Sequence, residues 1–154
     1  MKNISLFIFL ICVILLSGCD YHNTNNQISL PDYLDKECHW GEGFQDYTHY
    51  CKYFYDEESV KKFETHGKFE QVTRSDIENI SSYFEDFDGR AIGADFYDKY
   101  DFDYQSQIKE GDYFCIVTKE GKKAGDGVYG KFDSYDIYYV DMSECILYFI
   151  HHNL

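Results

Sequence analysis

The first eighteen residues constrain the rest of the chain more than any other feature of the sequence. One charged residue, Lys2, precedes a stretch from Ile4 to Leu16 that is apolar at every position except Ser5. A helix over this stretch would span about 20 Å, less than the ~30 Å hydrocarbon core of a bilayer. The stretch therefore predicts a cleaved export signal over residues 1–18, and a membrane-spanning anchor is the alternative. The residues that follow are expected to fold outside the cytosol.

The end of this segment, Leu16-Ser17-Gly18-Cys19, resembles the lipobox of bacterial lipoproteins. In that family a diacylglyceryl group is joined to the cysteine sulfur, and a dedicated signal peptidase cuts just before the cysteine. A thiolate is the side-chain nucleophile suited to this alkylation. The resemblance implies that Cys19 becomes a lipid-bearing N-terminus. It also implies a cell-membrane location, with acyl chains as the anchor and the domain on the extracytoplasmic side.

The rest of the chain is acidic and rich in aromatic residues. The whole chain contains 14 Lys and Arg against 28 Asp and Glu, for a formal net charge of −14. Nucleic-acid binding needs a basic surface, so nucleic acid is excluded as a partner class. Aromatic residues make up 19% of the chain, which excludes a disordered protein. Residues 19–30 are polar and Asn-rich and predict a flexible tether, whereas residues 31–154 are expected to form a single domain.

Two segments of this domain predict helices. Residues 56–65 begin with three acids, which suit the positive end of a helix dipole, and stop before Gly67. Residues 75–87 begin with a capping box made by Ser75 and Glu78 and are expected to end at Asp88-Gly89. Their apolar residues recur at helical spacing and fall on one face: Ile77, Ile80, Phe84 and Phe87.

The C-terminal half changes to a pattern typical of strands. Aromatic and β-branched runs at 113–119, 134–141 and 145–151 are separated by turn-forming residues, and 102–108 predicts a weaker fourth strand. Helices followed by a run of strands predict the α+β class. The expected architecture is an antiparallel sheet of three to four strands in the C-terminal half, with one or two helices packed on it.

Four cysteines remain after Cys19, and an even number in an exported domain permits two disulfides. Cys38 and Cys51 close the shortest loop and are therefore the favoured pair. Cys115 and Cys145 both lie in predicted strands. They form a cross-sheet bridge if those strands are neighbours, and the alternative is a pair of buried free thiols.

Two metal-binding patterns compete with these interpretations, and neither is specific. A zinc site would use the consecutive residues Cys38 and His39 together with His49 and Cys51, which are two residues apart. This spacing matches none of the standard zinc-binding motifs. A calcium loop would use Asp101, Asp103, Gln105 and Asp112. That loop requires glycine where this chain has Ser106. No metal and no cofactor is therefore predicted.

Tyrosine occurs 16 times, often beside Asp or Glu. Aromatic surfaces combined with precisely placed polar groups are typical of ligand sites, and with carboxylate acceptors they suit carbohydrate. The candidate ligand-binding residues are Tyr97, Tyr100, Tyr104, Tyr135, Tyr138 and Tyr139. The alternative is that strand propensity alone places tyrosines in half-buried positions.

The sequence contains no nucleophile elbow, phosphate-binding loop, zincin helix or dinucleotide fingerprint, so no catalytic residue is assigned. The pattern favours a membrane-anchored binding or interaction module over an enzyme. Its expected partner is an envelope protein or a carbohydrate. The alternative is a surface-anchored hydrolase that acts on a carbohydrate or another cell-envelope substrate.

Overall fold

A six-stranded antiparallel sheet is the main element of the structure, a computed structural model that describes residues 28–42 and 47–154. The strands are β1 (Asp35–Glu42), β2 (Tyr47–Phe54), β3 (Glu70–Gln71), β4 (Tyr113–Thr118), β5 (Lys123–Ala124), β6 (Gly127–Val128), β7 (Ser134–Asp141) and β8 (Ile146–Asn153). The sheet order is β1-β2-β8-β7-β4-β3, while β5 and β6 form a separate ribbon. The N-terminal and C-terminal hairpins therefore meet where β2 pairs with β8.

The predictions for the signal peptide, for Cys19 and for most of the tether fall outside the described residues. From Pro31 to Leu154 the chain forms one compact unit.

The helices are short, except for one that packs across the sheet. They are α1 (Glu57–Val60), which continues as a 3-10 turn over Lys61–Thr65, α2 (Ile77–Ala91) and α3 (Tyr104–Gln107), with a further 3-10 turn at Tyr97–Lys99. Within the described part of the chain, no helix combines the length and apolar character needed to cross a membrane.

Helix α2 differs from its prediction at both ends. Its N-cap residue is Asp76, whose carboxylate accepts hydrogen bonds from the backbone and hydroxyl of Thr73, so the predicted capping box of Ser75 and Glu78 is not the start. The helix also continues through Gly89 to Ala91. Burial explains the extension, because Ala91 is fully buried in the core and stabilises the last turn.

One face of the sheet, here called the helix face, packs against α2. Ile80, Phe84 and Phe87 of α2 are fully buried, as their helical spacing predicted. The sheet residues that share this core are Tyr50, Phe114, Tyr135, Ile137, Tyr139, Tyr148 and Ile150. The core is thus largely aromatic, and its rings meet mainly in edge and tilted arrangements.

Successive strand residues point to opposite sides, so a second set of side chains forms the opposite face. Part of this face is covered by α1 and the 3-10 turn that follows it. There the Phe63 ring lies 5.3 Å from Tyr55 and 4.7 Å from Phe69. Phe69 in turn lies 6.1 Å from Tyr138 of β7. Beyond this cover, the opposite face carries Cys38, Trp40, His49, Cys51, Phe149 and His151.

The α+β class and the antiparallel sheet are confirmed, but the sheet is larger than predicted. Two additions come from the N-terminal hairpin β1–β2, and β3 adds a short edge. The predicted weak strand at 102–108 is wrong, because Tyr104–Gln107 forms α3. The Asp103 side chain accepts a hydrogen bond from the Gln105 backbone and so starts a helical turn there.

Candidate functional site

A groove of about 390 Å³ lies between the last turn of α2 and the segment that leads into α3. It is open to solvent and combines carboxylates, aromatic rings and one amide. We call it the Tyr100–Tyr104 groove. Its lining residues are Asp88, Tyr100, Asp101, Phe102, Asp103, Tyr104 and Gln105.

The wall formed by residues 100–105 is anchored to β2 through Asp101. This carboxylate accepts hydrogen bonds from the Tyr50 hydroxyl at 2.7 Å and the Lys52 ammonium at 2.8 Å. Lys52 also pairs with Glu37 of β1 at 3.2 Å. Partial burial opposes ionisation of Asp101, but the hydrogen bonds from Lys52 and Tyr50 outweigh it and lower the pKa of this carboxyl. Asp101 therefore stays charged and holds the wall in place.

Phe102 and Asp103 also hold the segment 100–105 in place, each through different contacts. Phe102 is buried, and its ring lies 4.4 Å from Phe84 and 4.4 Å from Tyr148. Asp103 accepts a hydrogen bond from the Ser106 hydroxyl at 2.6 Å, in addition to its cap on α3. These contacts leave Tyr104 half-buried at the rim of the groove.

Tyr100 contributes a buried hydroxyl to the groove. Its ring packs 5.1 Å from the Tyr50 ring and 5.4 Å from Phe87. Its hydroxyl is buried, and none of the described residues forms a hydrogen bond with it. Burial and then the charge of Asp88 raise the pKa of Tyr100, so the hydroxyl is neutral and able to donate. A buried hydroxyl without a partner costs about 1–3 kcal/mol, which a suitable ligand atom would recover.

Asp88 and Tyr97 extend the polar surface at the α2 end of the groove. The charge of Asp88, slight desolvation and a hydrogen bond to Asp88 together raise the pKa of Tyr97. The Tyr97 ring is 39% exposed, so it is available to a ligand that extends beyond the groove. Asp88 was missed as a site residue, because the helix was expected to end there.

No protein-family model, curated protein or solved structure matches this chain. Its function is therefore inferred from the chemistry of its own residues.

The six candidate tyrosines divide into two groups. Tyr97, Tyr100 and Tyr104 lie at or beside the groove. Tyr135 and Tyr139 lie in the core on the helix face, where Tyr135 donates to Asp86 at 2.8 Å. Tyr138 lies on the opposite face with its ring 4.7 Å from Phe149. The strand tyrosines thus pack within the sheet and do not join the first three.

The cysteines also divide into two pairs. The predicted disulfide between Cys38 and Cys51 is confirmed, and it joins directly opposed residues of β1 and β2. Cys115 and Cys145 are free thiols. A bridge between neighbouring strands is not available to them, since Cys145 lies in the turn before β8 and β7 separates β8 from β4 in the sheet.

The fold brings together three of the four zinc-type residues and gives the calcium-type carboxylates separate partners. His39 is next to Cys38 in β1 and therefore points to the other side of the sheet, so only Cys38, His49 and Cys51 come together. The calcium-type carboxylates have different partners. Asp101 bonds Tyr50 and Lys52, Asp103 caps α3, and Asp112 is buried against Tyr139 and the backbone of Met142.

Proposed function

We propose that the protein is a lipid-anchored binding protein on the extracytoplasmic side of the membrane, and that the Tyr100–Tyr104 groove holds its ligand. The lipobox-like segment ending at Cys19 supports the anchor. The observation that most supports binding is the Tyr100 hydroxyl, which is buried at the groove and lacks a hydrogen-bond partner among the described residues. In this proposal the half-buried Tyr104 side chain rotates to admit a ligand to that hydroxyl.

The proposed ligand class is a neutral carbohydrate. Tyrosine rings offer apolar surface to the faces of sugar rings, while the carboxylates of Asp88, Asp101 and Asp103 accept hydrogen bonds from sugar hydroxyls. Anionic ligands are disfavoured by these three carboxylates and by the net charge of −14. The volume of about 390 Å³ lies within the range of small-ligand clefts, roughly 300–1,000 Å³.

Tyr100→Phe is expected to weaken glycan binding without loss of stability. The substitution removes only the hydroxyl, so the packing against Tyr50 and Phe87 remains. Binding should weaken about threefold to tenfold, the effect of one hydrogen bond. The free energy of unfolding should stay the same or rise, because a buried hydroxyl without a partner is removed. Glycan arrays followed by calorimetric titration, with urea denaturation alongside, measure both quantities.

Tyr55→Phe is the matched control. The Tyr55 hydroxyl is also buried without a partner among the described residues, but its ring packs beside Phe63 under α1. The free energy of unfolding of Tyr55→Phe should also stay the same or rise, but its glycan binding should not change. Equal weakening by both variants, or retention of only anionic glycans, would refute the groove as a site for neutral carbohydrate. Intact recovery of the bound glycan is expected, and its cleavage would favour the hydrolase instead.

A second test concerns the anchor. The precursor is expected to be cut before Cys19, and the product should carry lipid and partition into detergent. Cys19→Ala should abolish both lipid attachment and detergent partitioning, whereas Cys12→Ala, within the discarded segment, should change neither. Mass spectrometry of the N-terminal peptide measures the outcome. An unmodified Cys19, or an N-terminus at another residue, would contradict the lipoprotein assignment.

A further inference from the structure

The disulfide on the opposite face of the sheet lies in contact with a histidine. Cys38 and Cys51 are directly opposed across β1 and β2, and His49 precedes Cys51 by two residues on the same side of β2. The His49 Nε2 atom lies 3.1 Å from the Cys51 Sγ atom. The three candidate ligand atoms all lie within 4.8 Å of one another. The two strands thus bring two sulfurs and one imidazole nitrogen to a single point.

We propose that reduction of the Cys38–Cys51 disulfide creates a zinc-binding site made of the two thiolates and the His49 imidazole. A dithiol reductant supplies two electrons and two protons, the S–S bond breaks, and the reductant becomes a cyclic disulfide. Zinc then replaces the two thiol protons, which pass to solvent, and a water molecule completes a four-coordinate ion. Reoxidation of the two sulfurs by a disulfide oxidant releases the metal.

The donor set and its spacing suit zinc. Zinc prefers sulfur and nitrogen ligands in tetrahedral geometry, with Zn–S bonds of about 2.3 Å and Zn–N bonds of about 2.0 Å. In such a site the donor atoms lie roughly 3.5–3.8 Å apart. The His49–Cys51 contact needs to lengthen by only about half an ångström, and the released sulfurs separate through side-chain rotation. Backbone rearrangement of the hairpin is not required.

The surroundings favour a neutral complex of this kind. Two thiolates balance the charge of one zinc ion, and the rings of Trp40 and Phe149 lie 5.3 Å and 5.6 Å from the His49 ring. An apolar border of this type strengthens electrostatic attraction within the site. Cys51 is fully buried, whereas Cys38 is partly exposed on the edge strand. A reductant therefore reaches Cys38 first, and Cys51 is the leaving thiolate beside His49.

The test uses the detergent-purified lipoprotein and zinc alone. One sample is reduced and then freed of reductant, and a second is kept oxidised. The reduced protein is expected to retain one zinc ion per chain after gel filtration, and the oxidised protein none. Trp40 is the only tryptophan of the chain, and its fluorescence reports zinc titration directly. His49→Ala should weaken zinc binding by at least about a hundredfold, since loss of even an outer-shell partner costs 10–100-fold.

His39→Ala is the matched control, because His39 adjoins Cys38 in sequence but points to the helix face, and the zinc affinity of this variant should be unchanged. A double Cys38→Ser and Cys51→Ser variant should stay folded by circular dichroism and bind no zinc in either condition. Equal zinc content in oxidised and reduced protein would overturn the proposal. A reduced protein that takes up no zinc would also overturn the proposal. This holds if the protein stays folded, and it holds equally if its Trp40 signal is lost on reduction and does not return when zinc is added.

Discussion

Ile80→Asp is expected to unfold the domain. Ile80 is fully buried at the centre of the face that α2 presents to the sheet. An aspartate there removes apolar packing and places an ionisable carboxyl among the apolar and aromatic side chains of the core. A buried unpaired charge together with a cavity costs more than about 4 kcal/mol, a large part of the roughly 5–15 kcal/mol that stabilises a typical domain. Circular dichroism in a urea series measures the loss.

The neighbouring residue supplies a matched control. Asn79→Asp adds the same side chain to the same turn of α2, but residue 79 is exposed. Its effect on the free energy of unfolding should stay within about 0.5 kcal/mol. Equal urea midpoints for the two variants would show that α2 does not pack on the sheet through Ile80.

The elements that were predicted correctly are those whose burial leaves a pattern in the sequence. The helical spacing of Ile80, Phe84 and Phe87 exists because one side of α2 faces the sheet. Strands β4, β7 and β8 form the middle and one side of the sheet, where β-branched and aromatic residues pack on both faces. In such segments the packing that stabilises the fold also determines the composition.

Strand β1 could not be predicted in this way. Its sequence is largely polar, and it lies at the edge of the sheet with most of its described side chains exposed or half-buried. An edge strand is stabilised by its pairing with the neighbouring strand, here β2, and by the disulfide between opposed residues. Neither interaction requires a regular alternation of apolar and polar residues along β1. The cysteine count was the only useful signal in this region.

The sequence predicted tyrosines that lie at and beside the groove, but it did not predict the groove itself. Tyr97, Tyr100 and Tyr104 were identified because tyrosines and acids cluster there, but their partners are set by tertiary contacts. Asp88 joins the groove only because α2 continues past it, and Asp101 is fixed by Lys52, a residue distant in sequence. The local signal for α3 was present in Asp103, yet the apolar residues on either side resembled a strand pattern.

A buried network around Asp112 underlies the second large effect. Asp112 is 6% exposed and accepts a hydrogen bond from the Met142 backbone at 3.0 Å. Its other oxygen contacts the Tyr139 hydroxyl, which also lies 2.8 Å from the Gln107 carbonyl. One hydroxyl hydrogen cannot make two full-strength hydrogen bonds, so we expect a proton on Asp112 to complete the network. Burial raises the pKa of Asp112 despite the hydrogen bonds from Tyr139 and Met142, and the nearby Asp141 adds to the rise.

Asp112→Ala is therefore expected to lower the free energy of unfolding by about 2–4 kcal/mol, because it removes the acceptor of the Met142 backbone N–H and one of the partners of the Tyr139 hydroxyl. Asp112→Asn should stay within about 1 kcal/mol of the original protein. Its amide donates to the Tyr139 oxygen, its carbonyl accepts from Met142, and the Tyr139 hydroxyl donates to Gln107, as with a protonated acid. Urea denaturation at neutral pH compares the three proteins.

The pH dependence of the Asp112→Asn variant then tests the protonation of Asp112. A carboxyl whose pKa is higher in the folded protein binds its proton more tightly there, so its contribution to stability falls as pH rises. This fall begins at the pKa of the unfolded chain and ends above the higher folded pKa. The asparagine side chain does not titrate, and all other titratable groups are the same in the variant and the original protein. The stability of Asp112→Asn relative to the original protein should therefore increase through this window and then level off. A relative stability that decreases with rising pH would mean that Asp112 is held in its ionised form by the hydrogen bonds of Tyr139 and Met142.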